Sequence, residues 1–276
     1  MQVIRGATLA PPRIVIYGED KIGKSTFGAS ADTPLFVQTE DGAEEIGPDR
    51  LPRCDTYAEF RAALAFAARD TEHATVVVDN LSGLEALVQQ HVCRAGGVQS
   101  IEDYGYGKGY AKAEEVWARE VLPALDACRA AGKVVIVIGH SQIRRAESPE
   151  SEPYDQHTLD LHKSISALVR KWADVIGFAA RSVKIEETDV GFGVKRRRGV
   201  NVGDKRVLHL VGAPAFVAGN RYGLPAAIKL SWPAFVDAMA KRAVKSSIAA
   251  IKHQDQESRA EQTTTAESAN SAESEQ

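Results

Sequence analysis

The octapeptide GEDKIGKS, residues 18–25, follows an apolar run and precedes a helical pattern. It satisfies the spacing G-x-x-x-x-G-K-[ST], in which the backbone amides of a tight loop surround a phosphate. Lys24 would reach the β- and γ-phosphates of ATP, and the Ser25 hydroxyl would ligate Mg²⁺. The loop requires a strand before it and a helix after it, so it predicts an α/β fold. The residues predicted to contact ATP are Gly18, Glu19, Asp20, Lys21, Ile22, Gly23, Lys24, Ser25 and Thr26.

Two acidic residues inside this loop need an explanation. The carboxylates of Glu19 and Asp20 would repel a triphosphate if they pointed at it. We therefore expect both side chains to face solvent or a neighbour, with Lys21 offsetting their charge. The alternative interpretation is a glycine turn that holds no ligand.

Short β-branched runs alternate with longer helical patterns as far as Arg181. The runs are apolar on both faces, which is typical of buried strands in a parallel sheet. They cover residues 13–17, 35–39, 75–79, 133–139 and 173–179. The helical patterns cover residues 23–30, 57–69, 84–95, 110–131 and 161–171. Hairpin-like pieces follow, and then a helix over 233–250, so we predict a mostly parallel central sheet flanked by helices, with a C-terminal antiparallel extension.

The composition changes once along the chain. The sequence has 276 residues, of which 44% are hydrophobic and 26% charged, and this composition fits a globular domain. Near Lys245 the aromatic residues end and Glu, Ser, Thr, Gln and Ala predominate. We predict an ATPase core over residues 1–244 and a disordered acidic tail over 245–276. The net charge of −3 predicts no general affinity for nucleic acid, so any basic surface must be local.

The cysteine pattern and the hydropathy of the chain indicate its cellular compartment. The three cysteines have no C-x-x-C spacing, which argues against a zinc site and a disulfide framework. The longest apolar run, VVIVI, is much shorter than the roughly 20 residues of a membrane span. We therefore predict a cytoplasmic protein without a membrane partner, in the bacterial host if a phage encodes it.

A second acidic position is expected to hold the metal ion. In HATVVVDNLSG, Asp79 follows four apolar strand residues and stands at the carboxyl end of the strand. Ligands of open α/β sheets bind at that edge, so Asp79 would hold Mg²⁺ together with Ser25, through water. The alternative is that Asp79 only caps the helix that follows.

The order of further motifs resembles that of the RecA-like recombinases. In LFVQTEDG, Glu40 follows the second strand, where that family has its catalytic glutamate, and VVVDNLSGL is similar to the family's metal strand. VVIVIGHSQIRR resembles the sensor strand, and the matching sensor residue is Gln142. GNRYGLP is similar to the segment that presents two basic residues to the ATP of a neighbouring subunit: Arg221 matches one, but Gly219 stands in place of the other.

The resemblance covers about residues 12–230 and is closest to core-only phage ATPases of the Sak type, in which stretches like YGYGKGY and NRYGLP recur. Only a short lead precedes the phosphate loop, so we expect no N-terminal polymerisation module. The resemblance implies Mg²⁺-dependent ATP hydrolysis with Lys24, Glu40, Gln142 and Arg221 as catalytic residues. It also implies annealing or recombination of single-stranded DNA, head-to-tail homo-oligomers, and a single-strand-binding protein as a further partner.

Glycine-hinged aromatic residues lie where RecA proteins have their first DNA loop. In IEDYGYGKGYAK, rings and ammonium groups alternate with flexible backbone, as in sequence-independent single-strand binding. We predict DNA contacts by Tyr104, Tyr106 and Lys108. The alternative is an aromatic turn that packs over the sheet or forms a subunit contact.

Two further segments are candidates for DNA contact. Residues 143–160 are polar, lack periodicity and take the place of the second DNA loop, so we expect a long loop with Arg144 and Arg145 at its base. Its acidic centre would repel phosphate. The basic hairpin tip formed by Lys195, Arg196 and Arg197 would follow a DNA backbone, unless it is only a solvated face.

Two other functions remain open from the sequence. A P-loop kinase for a small acceptor would also use the phosphate loop, with the Arg-rich region after Arg181 as a lid. A nucleotide-gated adaptor, such as a helicase loader, would bind its partner through the acidic tail.

Overall fold

The computed structural model describes residues 10–42, 45–148, 151–189 and 195–243. The predicted boundary between core and tail at residue 244, and the whole tail over 245–276, lie outside the described residues. The last seven residues of the helix predicted over 233–250 lie outside them as well.

The central sheet confirms the predicted mostly parallel α/β architecture. Over the described residues the strands are β1 (Arg13–Gly18), β2 (Pro34–Gln38), β3 (Asp49–Arg50), β4 (Thr75–Asp79), β5 (Val134–Ser148), β6 (Ser151–Leu159), β7 (Val175–Asp189), β8 (Lys195–His209), β9 (Gly219–Asn220) and β10 (Ala227–Lys229). They lie in the order β10-β8-β7-β1-β5-β4-β2-β3, with β6 paired to β5 and β9 to β7. The pairs among β1, β2, β3, β4, β5 and β7 are parallel. The strand β1, which leads into the phosphate loop, is therefore central.

Helices cover both faces of the sheet. They are α1 (Lys24–Ala29), α2 (Tyr57–Arg69), α3 (Leu81–Gly96), α4 (Lys108–Val116), α5 (Leu122–Ala130), α6 (Lys163–Trp172) and α7 (residues 232–243). A capping box between Thr56 and Glu59 fixes the start of α2, because each side chain satisfies a backbone amide at the helix terminus.

Alternate residues of the central strands pack into two hydrophobic clusters. Val15 and Tyr17 lie in the cluster that contains residues of α2 to α6. Ile14 and Ile16 lie in the cluster that contains residues of α1 and α7. Successive strand side chains point to opposite faces, so apolar runs without alternation give a sheet buried on both sides.

The helix predicted over residues 110–131 is interrupted. A π-helical turn, Trp117–Val121, joins α4 to α5, and Pro123 stands in the first turn of α5. Proline has no backbone N–H and its ring clashes with the preceding turn, so a regular helix cannot continue through it unchanged.

The prediction of a long loop over residues 143–160 is wrong. Strand β5 continues past the predicted end at residue 139, and β5 and β6 form an antiparallel hairpin with Gln142 opposite Thr158 and Arg145 opposite Asp155. The part beyond the main sheet is a two-stranded ribbon. Its half-buried face carries polar side chains such as Arg144 and Gln156, so its sequence shows no hydrophobic strand period.

The antiparallel extension predicted after Arg181 is confirmed. Strand β7 continues beyond its parallel pairing with β1 and forms a long hairpin with β8, and β10 pairs antiparallel with β8. Both long hairpins, β5–β6 and β7–β8, extend past the end of β1. We call this end of the sheet the carboxyl edge, and the end where β1, β2 and β4 begin the amino edge.

Candidate functional site

The phosphate loop occupies the turn between β1 and α1. A Cβ atom added at Gly18 would lie 2.2 Å from the carbonyl oxygen of Ala179 on β7, so only glycine allows this close approach of backbones. Gly23 has a φ of 106°, a conformation that side-chain-bearing residues rarely adopt. The two glycines of the sequence pattern are therefore each required by the backbone geometry.

The side chain of Lys24 is buried at the start of α1, with a relative exposure of 6%. Its Nζ donates hydrogen bonds to the carbonyl oxygens of Gly18, at 2.9 Å, and Glu19, at 2.7 Å. Burial lowers the pKa of Lys24, and the charges of Asp20, Asp79, Glu19 and Glu40 oppose that shift. The ammonium group thus lies inside the loop among several carboxylates.

Ser25 and Asp79 meet as the sequence predicts for a metal pair. The Ser25 hydroxyl donates to Oδ2 of Asp79 at 2.7 Å, which brings the end of β4 to the start of α1. Burial raises the pKa of Asp79, while the Ser25 hydrogen bond and the charge of Lys24 act in the opposite direction. A carboxylate and a hydroxyl at this distance fit Mg²⁺, which prefers oxygen ligands.

No group of three or more His, Cys, Asp or Glu side chains in the described part of the chain could hold a metal ion. This agrees with the usual mode of Mg²⁺ binding in nucleotide sites, where one or two protein oxygens join the phosphates and waters. Ser25 and Asp79 would therefore hold the ion together with a bound nucleotide.

Glu40 belongs to a hydrogen-bonded chain that crosses the carboxyl edge. Nδ2 of Asn80 donates to Oε2 of Glu40 at 2.7 Å and lies 2.7 Å from Nε2 of His140. Nδ1 of His140 lies 2.6 Å from Oδ1 of Asp20 in the phosphate loop. These contacts therefore join residues from four separate elements: β5, the phosphate loop, the start of α3 and the end of β2.

The orientation of the Asn80 amide fixes the tautomer of His140. Asn80 caps α3, and its Oδ1 accepts from the amide of Gly83 at 2.9 Å. Its Nδ2 therefore points at Glu40 and His140, and an NH₂ group can only donate. Nε2 of His140 must accept, so the ring proton is on Nδ1 and is donated to Asp20.

These groups line a cavity of about 560 Å³, which we call the nucleotide cleft. Arg206 on β8 also lines it and donates from Nη1 to the carbonyl oxygen of Ile22 at 3.2 Å. Ile22 itself is 1% exposed, so its side chain belongs to the core and only its backbone can face a ligand. Glu19 and Asp20 are exposed. Thr26 and Lys21 line the cleft.

Several residues of this cleft are missing from the sequence prediction, among them His140, Asn80 and Arg206. His140 immediately follows the predicted strand, and a polar residue at the carboxyl end of a parallel strand is the signal that points to it. Asn80 follows Asp79 in the same way. Arg206 has no such signal, because it reaches Ile22 only through the pairing of β8 with β7, a sequence separation of 184 residues.

Gln142, predicted as the sensor residue, lies outside the nucleotide cleft. Its Nε2 donates to the carbonyl oxygens of Leu159, at 3.0 Å, and Leu161, at 3.3 Å. In β5 it lies two residues beyond His140, which pairs with Gly18 of the phosphate loop. His140 therefore occupies the position in this strand that faces the cleft.

Arg221 lies at the amino edge, away from its own phosphate loop. It donates to Oδ1 of Asp174 at 3.3 Å and to the carbonyl oxygen of Lys171 at 2.6 Å. Asp174 also accepts from the backbone amide of Arg13, the first residue of β1. The Arg221 side chain is 57% exposed. Within one chain it cannot reach the nucleotide cleft.

The predicted first DNA segment has one packed and one fully exposed tyrosine. The Tyr104 hydroxyl donates to the carbonyl oxygen of Val92 at 2.7 Å, and its ring fills the notch at Gly96 on α3. Tyr106 is fully exposed in a left-handed conformation, with φ 48°. Lys108 is exposed at the start of α4. Tyr106 and Lys108 are thus more open to a ligand than the half-buried Tyr104.

The basic residues of the two hairpins differ in their contacts. Arg144 donates to the carbonyl oxygen of Leu161 at 2.7 Å, whereas Arg145 is exposed. On β8, Lys195, Arg196 and Arg197 stand opposite Asp189, Thr188 and Glu187 of β7. The basic strand therefore faces a partly acidic one in the register of the hairpin.

The fold and this cleft define a P-loop ATPase with an α/β architecture. The chain belongs to the AAA domain family, whose model matches residues 10–222. It is 26% identical over 133 residues to the SPbeta prophage-derived uncharacterized protein YorG of Bacillus subtilis (strain 168). The aligned region covers 46% of this chain and 40% of that relative. The chain thus matches less than half the length of this relative.

Among solved structures, the flagellar accessory protein FlaH of Methanocaldococcus jannaschii is similar over 79% of this chain and 84% of that one, with a TM-score of 0.38 and 14% identity. This level of similarity carries no functional argument. Among the described residues, no helix is both long and apolar enough to cross a membrane.

Proposed function

We propose that this P-loop ATPase binds single-stranded DNA in an ATP-dependent manner and promotes its annealing or recombination. The observation that carries the proposal is the position of the two long hairpins, β5–β6 and β7–β8, which leave the sheet at the same edge that holds the nucleotide cleft. A strand bound along these hairpins would lie next to the bound nucleotide. The resemblance to a prophage-derived protein supports a phage origin.

Residues of the nucleotide cleft have the following proposed roles in ATP hydrolysis. Lys24 would leave the loop carbonyls for the β- and γ-phosphates of ATP, and Ser25 and Asp79 would hold Mg²⁺, which neutralises charge on the phosphates. Glu40 would orient the attacking water, with Asn80 fixing the position of its carboxylate. Gln142 contacts only carbonyl oxygens of its own hairpin and would act indirectly, through the position of β6.

Head-to-tail assembly gives Arg221 a role that one chain alone cannot provide. The amino edge with Arg221 and the carboxyl edge with the cleft are opposite ends of the sheet. A heterologous interface that joins these two ends would place Arg221 of one subunit near the ATP of the next. Repetition of that contact produces a ring or a filament.

DNA contact would involve the exposed groups Tyr106, Lys108 and Arg145, with the basic strand of β8 following the phosphates. Arg144 would position the base of the hairpin through its bond to Leu161. The role of a single-strand-binding protein as a further partner belongs to the same proposal.

The discriminating experiment measures ATP hydrolysis with and without oligothymidine. The proposal predicts a faster rate with the single strand, and a rate per subunit that falls on dilution because Arg221 acts between subunits. Arg221→Ala should reduce turnover without weakening ATP binding, whereas Lys229→Ala, an exposed lysine on β10, should behave as wild type. A rate that is unchanged by DNA, with phosphate transferred to a small acceptor, would identify a kinase instead.

A further inference from the structure

A second cavity, of about 570 Å³, lies at the carboxyl edge on the other side of the phosphate loop. Four aromatic rings line it, and we call it the aromatic cleft: His157 of β6, Phe178 of β7, His209 of β8 and Phe216. Glu19 of the phosphate loop lines this cleft, whereas its neighbour Asp20 lines the nucleotide cleft. The two cavities are therefore separated only by the phosphate loop.

The planes of the four rings are close to parallel. Phe178 stacks on His157 at a centroid distance of 5.1 Å, on Phe216 at 5.0 Å and on His209 at 6.2 Å, with interplanar angles between 20° and 29°. His209 and Phe216 are 4.5 Å apart at 36°. Phe178 is buried beneath the others, while Phe216 and His209 are only half-buried. A further flat ring could extend this stack at little cost in rearrangement.

Backbone hydrogen bonds hold the wall of the cleft in place. The amide of His157 donates to the carbonyl oxygen of Ala215 at 2.8 Å, and that of Val217 donates to His157 at 3.0 Å. The hydroxyl of Tyr17, on β1, lies 2.5 Å from the carbonyl oxygen of Val217 and 3.1 Å from that of His157. The segment that carries Phe216 is thus attached both to the β5–β6 hairpin and to the central strand.

The polar groups around the cleft favour a neutral ligand with hydrogen-bonding edges. Nδ1 of His157 is buried and has no hydrogen-bond partner among the described residues, an uncommon state for a ring nitrogen. Burial lowers the pKa of His209, which keeps that ring uncharged near neutral pH. Arg181 already pairs with Asp204 at 3.0 Å, and Glu19 carries a negative charge. Among the described lining residues, the one guanidinium group, that of Arg181, is therefore already paired and not free for a phosphate group.

We propose that the aromatic cleft takes up one nucleobase of a single strand, which stacks on Phe216 and His209 while the strand's phosphates remain outside. The inference rests on the proposed function and adds a site to it. A nucleobase is flat and carries donors and acceptors on its edge, which match the histidine nitrogens and the Glu19 carboxylate. An aromatic side chain of a partner protein would stack equally well, but Phe and Trp offer few or no groups for these polar partners.

The test compares an oligothymidine with an abasic strand of the same length, using fluorescence anisotropy to measure binding. Phe216→Leu keeps an apolar side chain at the position but removes the flat ring. It should weaken binding of the oligothymidine by about fivefold to 150-fold and leave binding of the abasic strand unchanged. A strand carrying a fluorescent aminopurine should be quenched by the wild type and much less by the variant.

Phe66→Leu is the matched control. Phe66 is 52% exposed on α2, and α2 packs near the end of the sheet opposite to β8. This variant should bind both strands as the wild type does, and thermal unfolding of both variants verifies that they are folded. Equal affinity of wild type and Phe216→Leu for oligothymidine would overturn the assignment of the site while leaving DNA binding intact. Equal weakening for both strands would also overturn it. If the wild type binds neither strand, the proposed function itself fails.

Discussion

The two edges of the sheet both concentrate charge, but they balance it differently. At the amino edge, Asp174 is 5% exposed and is surrounded by Arg13, Arg129 and Arg221, with N–O distances of 2.9 to 3.4 Å. At the carboxyl edge, one buried cation, Lys24, interacts with four carboxylates, and the pair Ser25–Asp79 shares a hydrogen bond.

The difference supports the proposal that the carboxyl edge holds the ligand. Charges that only hold the fold together are paired in full, because a buried unpaired charge costs several kcal/mol. At the carboxyl edge, Mg²⁺ would offset part of the charge of the carboxylates around Lys24. The account therefore predicts that substitution of the buried Asp174 at the amino edge changes stability, whereas substitution of Lys24 at the carboxyl edge changes activity.

The largest effect is expected at Asp174. Asp174→Ala leaves the Arg13 amide and guanidinium without their main acceptor, so it should lower the free energy of unfolding by about 3–5 kcal/mol. Urea denaturation followed by circular dichroism measures this change. Asp237→Ala removes an exposed carboxylate paired with Lys241 on α7 and should cost well under about 1 kcal/mol. A similar loss in both variants would remove the contrast between the edges.

Lys24→Ala tests the other edge. Turnover of ATP should fall by roughly 10²–10³-fold, because the variant lacks the cation that stabilises charge on the transferred phosphoryl group. The free energy of unfolding should not fall, because burial lowers the pKa of Lys24 and so makes its charged form less favourable in the folded state than in the unfolded chain. A steady-state phosphate-release assay gives the rate, with Lys229→Ala as control. Normal turnover in Lys24→Ala would remove the assigned mechanism.

His140→Ala tests the hydrogen-bonded chain in the nucleotide cleft. The variant frees Asp20 and removes one partner of Asn80, so the Glu40 carboxylate loses part of its support. We expect kcat to fall by about tenfold to a hundredfold with little change in ATP affinity. Gln142→Ala, two residues further along β5, should have a smaller effect on kcat because Gln142 contacts only Leu159 and Leu161. A larger loss of kcat in Gln142→Ala than in His140→Ala would instead support Gln142 as the sensor residue.

The smallest effect concerns pH at the amino edge. Burial raises the pKa of Asp70, but hydrogen bonds from His73 outweigh it and bring the pKa to about 2, below the ordinary 3.8. A carboxylate with a lowered pKa stabilises the fold above its ordinary pKa, and this contribution is lost as the pH falls from about 4 to about 2. Asp70→Asn should therefore flatten the dependence of unfolding free energy on pH in that window. An unchanged slope would contradict the assignment.

The sequence predicts the elements of the core closely. Strand β4 and helix α2 have their predicted bounds. A strongly apolar run specifies the strand, and a capping box specifies the start of the helix, so both depend on neighbouring residues in the sequence. The Ser25–Asp79 contact also follows from local patterns, since both residues stand at carboxyl-edge positions that parallel strands bring together.

Other features depend on tertiary contacts that no local pattern encodes. The β5–β6 ribbon lacks hydrophobic alternation because its half-buried face carries polar side chains such as Arg144 and Gln156, and it therefore has the composition of a loop. Arg206 and the aromatic cleft depend on the pairing of β8 with β7 and on the return of Phe216 to His157. Hydrogen-bonded chains such as Asn80–His140–Asp20 need three-dimensional register, not only sequence spacing.

The most direct test of the central claim is a calorimetric titration of the full-length protein with ATP in the presence of Mg²⁺. The account predicts saturable heat with one ATP per chain for the wild type, and much weaker binding both without Mg²⁺ and in Lys24→Ala. Folded wild-type protein that takes up no ATP, or a Lys24→Ala variant that binds MgATP as tightly as the wild type, would contradict it.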